Sequence, residues 1–452
     1  MRTLVGPVTA VAAALSIAAT PVLCADLIVH EWGTFTSFQD ARGQTIPGIN
    51  VDDEPVPKFV HRLNDIQIFT TRSIPARWSQ GAPRCHPDVT LRLETPVAYF
   101  YPQSGFAAQT IDVNASFVGG WLTEFYPFAE TGEAGFPDTL DRAARGSLTW
   151  KGLKLAFAPA SLPQTTEHVW LAPRAVASAV VTSPGGTESE KYLFYRGVGH
   201  LDAPLVVREQ QGSLGITLRE GSSLKKIPSL WIVRVQPDRR MRYRRVIAER
   251  LDVSAPLPAA DPKSPSDLDA LRGELEQALL AEGLYKDEAR AMLATWRLSY
   301  FESEGVRVFF VLPRAWTDAQ LPLSISVPAD ITRVMLGRIE LASPHQMTAL
   351  RKLQELPATA FDLQPILASG NTAAIQRISD GTASEAEAYQ IAGRPIPEAL
   401  RLYESMGRFR DALLVHEWNA ARDDAQRKRL ELIMETFSAC VTALPPRIAP
   451  DG

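Results

Sequence analysis

Four histidines in the first half of the chain are candidates for metal or acid–base chemistry. His30, His61, His86 and His200 are residue types that zinc, copper or iron accept as ligands, and Glu31 directly follows His30. Their spacing matches no metal motif, because the sequence has no His-x-His and no His-Glu-x-x-His. Two interpretations remain open. Either His30, Glu31 and His200 converge as an acid–base site, with His30 and His200 holding a divalent metal, or all four histidines are structural.

On a regular strand, neighbouring side chains point to opposite faces of the sheet. We therefore expect His30 and Glu31 to reach one ion only if a β-bulge re-aims one of them.

Carboxylates form the second candidate group, because several lie among aromatic residues. Glu31, Glu94, Glu124 and Asp202 fall in or beside predicted strands, close in sequence to residues such as Trp32. Two carboxylates facing each other across a groove are the arrangement of a glycosidase, and aromatic faces stack on sugars. Trp32, Glu124 and Asp202 are therefore candidate ligand-binding residues. The alternative is that Glu94 pairs with an arginine and that the aromatic residues fill the core.

The segment 195–200, Tyr-Arg-Gly-Val-Gly-His, gives a third candidate. It matches no dinucleotide-binding fingerprint, and the chain contains no Gly-x-Ser-x-Gly nucleophile motif. A functional interpretation gives Arg196 an anionic ligand and His200 a proton-transfer role. The alternative is a flexible turn that lets both side chains approach a neighbouring strand.

Residues 1–25 have the composition of a secretory signal. Arg2 supplies a positive charge, residues 4–19 are almost wholly apolar or small, and Pro21 precedes a potential cleavage site near residue 24 or 25. An uncleaved N-terminal anchor is the alternative. No later stretch is long and apolar enough to cross a bilayer. We therefore predict a signal peptide and a soluble protein that is periplasmic or secreted.

Charge and cysteine content restrict the partners of this protein. A net charge of −4 with 22% charged residues gives no reason to expect nucleic acid or an anionic membrane as partner. Five arginines between 239 and 245 form a basic run that could bind an acidic polymer, although such a face is more often solvated or paired.

Cys85 and Cys440 remain after cleavage, and they either pair in an oxidising compartment or stay free thiols.

The periodicity predicts a mainly β protein with added helices. Between 26 and 252, short strands with period-two alternation favour an antiparallel β-sandwich-like domain. Pro96 interrupts the strand predicted over 89–101, which indicates an edge strand or a bulge. Residues 253–343 begin with a proline-rich linker (253–265) and continue as a helical hairpin with a few strands, packed on the β domain or extending its sheet. Residues 344–452 are predicted to form a helical C-terminal region.

Five stretches resemble a family of exported bacterial proteins that has no established activity. They are His30 to Thr36 (His-Glu-Trp-Gly-Thr-Phe-Thr), Glu94 to Val97, Leu193 to Gly199, Ala289 to Arg297, and Gly337 to Leu341. The resemblance covers roughly residues 27 to 341 and supplies no catalytic residue. It implies that the strands and the helical hairpin form one functional unit.

The function expected from the sequence is therefore broad. The leading hypothesis is an exported protein that binds a small molecule or a polysaccharide, or that serves in an assembly without chemistry. The alternative is a hydrolase acting on an extracellular or envelope polymer, with or without a divalent metal. A third hypothesis, a protein partner docked on the C-terminal helices, predicts a large exposed apolar face on residues 395–440.

Overall fold

The computed structural model describes residues 26–438, apart from 52–53, 67–77, 80, 133–138, 159, 223, 225–226, 248–251, 260–264 and 380–382. Within these residues the protein is mixed α and β, with a large, mostly antiparallel sheet and a helical C-terminal region. The predicted signal peptide at 1–25 and Cys440 lie outside the described residues.

The strands, in chain order, are β1 (Leu27–Gln39), β2 (His61–Arg62), β3 (Trp78–Ser79), β4 (Ala82–Pro83), β5 (Leu91–Pro102), β6 (Ile111–Val118), β7 (Gly120–Tyr126), β8 (Glu130–Gly132), β9 (Arg145–Ala156), β10 (Val180–Thr182), β11 (Ser189–Glu190), β12 (Leu193–Gly199), β13 (Leu205–Gln210), β14 (Ser213–Leu218), β15 (Ser229–Val235), β16 (Met241–Ile247), β17 (Asp252–Pro256), β18 (Gly305–Leu312), β19 (Leu323–Ile325) and β20 (Asp330–Leu341).

The α-helices are α1 (Leu63–Ile66), α2 (His168–Arg174), α3 (Leu268–Ala281), α4 (Lys286–Thr295), α5 (Arg314–Gln320), α6 (Pro344–Glu355), α7 (Thr372–Ser379), α8 (Glu385–Ile391), α9 (Glu398–Ser405), α10 (Arg410–Asn419) and α11 (Asp424–Phe437). A π-helix, Arg297–Glu302, follows α4, and 3₁₀ turns occupy Pro184–Gly186, Ala358–Phe361 and Ile366–Ser369.

Strand β1 lies at the centre of a 15-stranded sheet. It pairs antiparallel with β5 on one side and parallel with β20 on the other, so that residues about 300 positions apart become neighbours. The parallel pair departs from the purely antiparallel sheet that the sequence predicted. The strand pairing does not confirm the predicted sandwich, because β18 and β20 join the same sheet as β1 and β5.

The central strands are more continuously buried than the alternation suggested, because both faces of the sheet are covered. Nearly every residue of β1 and β5 is buried. One face packs against β6, β9 and the three-stranded sheet β13–β14–β17, around residues such as Phe35 and Leu93. The other face packs against α2, α3, α4 and the π-helix, around Trp32 and Trp296. Strands covered on both sides lose the strict apolar and polar alternation of a half-exposed strand.

Pro96 lies in a central strand and not at an edge. The ladder accommodates it with register shifts on both sides, between Trp32 and Thr34 on β1 and between Phe194 and Gly197 on β12. Proline has no N–H to donate, so a bulge is the arrangement that lets it remain inside a sheet. The bulge alternative from the sequence is therefore the one the structure adopts.

The region from residue 344 onwards is helical, as the sequence predicted. The capping box of α6 illustrates why: the Ser343 side chain accepts from the Gln346 backbone, and the Gln346 side chain accepts from the Ser343 N–H. No large hydrophobic side chain of the described residues 395–438 is exposed, so the apolar face expected for a docking scaffold is not seen there. The 253–265 segment is more than a linker, since its first residues belong to β17.

Two further features bear on the sequence predictions. Cys85 is disulfide-bonded, which excludes the free-thiol alternative for it. The other two cysteines of the chain, Cys24 and Cys440, lie outside the described residues. Across the described part of the chain, no helix combines the length and apolarity needed to span a membrane.

Candidate functional site

His30 is buried on the helical face of the sheet. Its Nδ1 lies 2.8 Å from the carboxylate of Glu288 on α4, and its ring packs on Tyr285 and Tyr101. The same carboxylate accepts from the Tyr101 hydroxyl at 2.6 Å and from the Tyr285 N–H at 2.6 Å. These contacts hold the start of α4 against the central strands β1 and β5.

Glu31 points to the opposite face, as the strand geometry required. It pairs with Arg333 at 2.6 Å, its register neighbour on β20, and it accepts from the Tyr195 hydroxyl. Arg333 also contacts Asp318 at 2.9 Å. The charge of Glu31 is therefore balanced by Arg333 within the core. Glu31 and His30 are not placed to bind the same ion.

His200 is far from both residues. Gly199 lies opposite Leu91 on β5, whereas His30 lies opposite Tyr99, eight residues further along the strand. At ~3.3 Å per residue the separation along the sheet is roughly 25 Å. The His200 ring contacts the Leu140 carbonyl at 2.7 Å. The geometry that a joint His30, Glu31 and His200 site requires is therefore not met.

The other predicted residues also have structural partners. Glu124 pairs with Arg62 and Arg196, and Asp202 lies near the surface beside Arg142 and Thr45. His61 contacts Glu188 at 2.7 Å, and His86 packs edge-on against Trp121.

No group of three or more His, Cys, Asp or Glu side chains in the described ranges is arranged to hold a metal ion. In the basic run, Arg240 and Arg242 pair with Asp238 and Asp267.

The chemically unusual part of the structure lies at the Pro96 bulges. Glu94, buried in β5, binds Arg92 at 2.5 Å and Arg338 at 3.4 Å, and accepts from Thr36 at 2.9 Å and from Tyr300. Thr95, between Glu94 and Pro96, has a positive φ of 47°, a conformation that is costly for a β-branched residue. Strained backbone of this kind is found mainly where a fold builds a functional site.

A small cavity opens beside this strained segment. It has a volume of about 20 Å³ and is lined by Glu54, Arg92, Glu94, Thr95, Val169, Arg196, Trp296 and Ser299; these residues are called the Glu54 pocket below. A cavity of this volume holds one water-sized group. His168 of α2 lies beside it, half exposed, with its Nε2 3.3 Å from Glu54. The pocket therefore lies under α2, close to solvent.

The two carboxylates of the Glu54 pocket differ in acidity. Burial raises the pKa of Glu54, and the charge of Glu94 adds to the rise, against the opposing hydrogen bonds from Ser299 and the charge of His168. Burial also opposes ionisation of Glu94, but Arg92, Arg338 and the Tyr300 hydroxyl outweigh it and lower the pKa of Glu94 to about 2. Glu94 is thus the stronger acid of the two and Glu54 the weaker.

Two polar atoms of the pocket make no hydrogen bond within the described part of the chain. The Glu54 Oε1 accepts from the Ser299 N–H at 2.8 Å, and its Oε2 lies 3.3 Å from the His168 Nε2 without hydrogen-bond geometry. The indole Nε1 of Trp296 has no hydrogen-bond partner among the residues that the structure describes. Trp296 is 3% exposed, and its ring is held by stacking on Tyr300 and by an edge contact with Trp32. A buried N–H without an acceptor is costly, so it marks a position where a ligand atom or water belongs.

Guanidinium groups outnumber carboxylates behind the pocket. The buried carboxylates Glu94 and Glu340 together contact four arginines, which are Arg92, Arg307, Arg338 and Arg408. Peptide carbonyls take part of the excess: the Ser299 carbonyl alone accepts from Arg307, Arg338 and Arg408. Among the described residues behind the cavity, four guanidinium groups therefore lie around two carboxylates.

The sequence contained one signal for this site that residue chemistry missed. All five stretches that carry the family resemblance meet here, through Thr36, Glu94, Arg196, Trp296 and Arg338. Of these, only Arg196 was among the residues predicted to bind a ligand, and it borders the cavity with its Nη1 3.5 Å from the Glu54 carbonyl. Glu54 lies outside those stretches and nothing in its local sequence distinguishes it.

Comparison with known proteins adds little to this description. No family model matches the chain, and a search of curated protein sequences gives no significant match. Among solved structures, the chain is similar to the Mu homology domain of Fcho1 from Danio rerio, solved with a bound Eps15 peptide, at 7% identity over 70% of this chain and 95% of that chain. The TM-score of that match is 0.26, which supports no inference about shared fold or function.

Proposed function

We propose that this protein binds the acidic group of a small molecule or of an acidic glycan, with one anionic oxygen held in the Glu54 pocket. The observation that carries the proposal is a water-sized cavity with the Trp296 N–H, which has no hydrogen-bond partner among the described residues, beside a cluster of buried guanidinium groups. A buried N–H donor beside guanidinium groups favours a negatively charged ligand atom.

Glu54 sets the pH at which such a ligand binds. When protonated, it offers a further donor to the ligand oxygen; when ionised, it repels it. Because the pKa of Glu54 is raised, the binding form persists above the usual range of a glutamic acid and is lost as the pH rises through that raised value. Binding should therefore be strongest in mildly acid solution, where a ligand carboxylate is still ionised.

The sequence of residues 1–25 supports a setting for this activity. We infer that the protein is exported and meets its ligand in the periplasm or outside the cell, where acidic sugars and small organic acids are accessible partners. The resemblance to exported bacterial proteins supports the same inference.

Calorimetric titration with D-galacturonate, acetate, chloride and D-galactose at pH 5 and pH 8 tests the proposal. We expect the carboxylates to bind more tightly at pH 5 and the neutral D-galactose not to bind. Glu54→Gln should keep binding at pH 8, because an amide donates without titrating, and His168→Asn measures the contribution of the nearby histidine. Equal binding of D-galactose and D-galacturonate, or an unchanged pH dependence in Glu54→Gln, would overturn it.

Trp296→Phe examines the indole N–H separately. The substitution keeps the ring stacked on Tyr300 and removes only the donor, so carboxylate affinity should fall roughly threefold to tenfold. Trp32→Phe is the matched control, since Trp32 contacts Trp296 without lining the cavity. A similar loss in both variants would indicate a packing effect and contradict a direct contact.

A second candidate is hydrolysis of an extracellular or envelope polymer with Glu54 as the general acid. The opposite pKa displacements of Glu54 and Glu94 favour it, because acid and base roles are separated in this way in glycosidases. We prefer binding because both oxygens of Glu94 already contact Arg92, Arg338 and Tyr300. Turnover of chromogenic glycosides by the wild type but not by Glu54→Gln would make hydrolysis the function.

A further inference from the structure

A second, larger cavity lies well apart from the Glu54 pocket and shares no lining residue with it. It has a volume of about 570 Å³ and lies between the end of α3 and strands β15 and β18. Its walls are mainly apolar, with Trp231, Val311 and Leu312 on the sheet side and Ala278 and Ala281 on the helix side. Cavities of this volume with apolar walls and few polar groups are typical sites for small organic ligands.

Among the described residues that line this cavity, Arg245 is the positively charged one. Arg245 lies opposite Trp231 in the β15–β16 ladder, with its guanidinium 5.6 Å from the Trp231 ring, and its side chain is 44% exposed. The nearest carboxylate, Glu274, is 3.9 Å away and already accepts from the Trp231 indole at 2.9 Å and from the Tyr243 hydroxyl at 2.8 Å. Arg245 also donates to the Ser229 hydroxyl, and its 44% exposed side chain is accessible to an anion at the mouth.

The apolar surface continues beyond the cavity. Ile247 follows Arg245 on the same face of β16, pairs with Ser229 of the cavity rim and is 73% exposed. An apolar ligand body would bury this side chain in addition to the cavity walls. The carboxylate Glu282 also borders the cavity, from the end of α3 and fully at the surface, where solvent screens its charge.

We propose that this cavity binds an amphipathic small molecule, an acyl-chain-like apolar body with one carboxylate or phosphate group, whose anionic group lies on Arg245. The apolar walls hold the body, and the guanidinium binds the head group while stacked on Trp231. This site is independent of the Glu54 pocket, and its ligand class differs in needing an apolar body.

Displacement of the fluorescent carboxylic acid cis-parinaric acid from the full-length protein tests the proposal. Palmitate should displace the probe, whereas the cationic hexadecyltrimethylammonium and the neutral hexadecyl maltoside, whose chains have the same length, should do so at least tenfold more weakly. Arg245→Gln should lower the affinity for palmitate by about tenfold, the usual contribution of one charge-assisted hydrogen bond. Arg244→Gln is the matched control, because Arg244 is the next arginine on the strand and points to its other face.

Ala281→Phe tests whether the probe binds inside the cavity. Ala281 is exposed at the end of α3, so a larger side chain there fills the cavity without entering the core, and probe binding should be lost while the unfolding transition is unchanged. Absence of probe binding by the wild type, equal displacement by the cationic and anionic amphipaths, or equal effects of Arg244→Gln and Arg245→Gln would overturn the proposal.

Discussion

Two buried carboxylates on neighbouring strands, Glu31 of β1 and Glu94 of β5, differ in what surrounds their charge. Glu31 has one guanidinium partner, Arg333, on a regular stretch of ladder. Glu94 lies next to the strained Thr95, among more arginines than carboxylates, beside a cavity and a second carboxylate of raised pKa. Burial and ion pairing are common to both. The charge imbalance, the strain and the unpaired donor distinguish the candidate site from a structural ion pair.

The largest expected effect concerns the structural pair. Arg333→Met leaves Glu31 buried without its cation, and we expect it to lower the free energy of unfolding by about 3–5 kcal/mol in urea denaturation at pH 7. Arg314→Met removes an exposed partner of Asp318 and should cost less than about 0.5 kcal/mol. The double variant Glu31→Gln/Arg333→Met should recover most of the loss, and a double variant as unstable as the single one would contradict this account.

Glu94→Gln tests how much the ionised Glu94 contributes to the stability of the fold as the pH is lowered. The folded pKa of Glu94 is about 2, below the ordinary 4.5, so its stabilisation is complete above pH 4.5 and is lost as the pH falls towards 2. This lowering of the Glu94 pKa corresponds to about 3 kcal/mol of stability at neutral pH. The variant should not show the corresponding loss of stability in acid. The exposed Glu304→Gln is the control, and parallel pH profiles for wild type and Glu94→Gln would contradict the assignment.

Gly33→Ala examines the bulge itself. A Cβ at Gly33 would come within 3.0 Å of the Pro96 Cα and the Met335 sulfur, so we expect a loss of roughly 1–3 kcal/mol in the free energy of unfolding. Gly273→Ala is the opposite case, because nothing lies within 4 Å of that position in α3, and it should stabilise by about 0.5–1 kcal/mol. Equal tolerance of both substitutions would show that the bulge is loosely packed.

The smallest effect is expected for the stability of Glu54→Gln. Because the folded pKa of Glu54 is raised, the wild-type residue contributes stability at low pH, and this contribution is lost as the pH rises through the folded pKa. The variant should match the wild type near pH 4 and be slightly more stable at pH 8, as measured by thermal unfolding. A variant that is less stable at pH 8 would indicate that the ionised carboxylate is favoured in the fold.

Local patterns predicted much of the secondary structure. The helices from 344 onwards, the helix that became α3, and the opposite orientation of His30 and Glu31 all follow from periodicities of 3.6 and 2. The π-helix after α4 was not predicted, because it continues the same apolar spacing as an α-helix. The central position of β5 was left open, because Pro96 is compatible with an edge or a bulge, and only the flanking strands decide between them.

The candidate site could be predicted only in part. Arg196 was singled out as an anion-binding residue, and it borders the cavity; the Glu94–arginine pair was foreseen as an alternative to catalysis. Glu54 could not be found, because it belongs to no spacing motif and lies outside the five stretches. Trp296 lies in one of those stretches, but its role becomes apparent only through its burial beside the cavity. The distance between His200 and His30 likewise depends on strand register, which residue types do not determine.

The amino-acid sequence by itself determined the length and period of the elements, because hydrophobic alternation, caps and prolines act over a few residues. Tertiary structure decided which elements meet. The parallel pairing of β1 with β20 brings Thr36 next to Arg338, and the docking of the π-helix brings Ser299 to Glu54, across separations of 302 and 245 residues. Charge balance, desolvation and cavity volume arise from those contacts, so the acidity of Glu54 and Glu94 is a property of the assembled core and not of any segment.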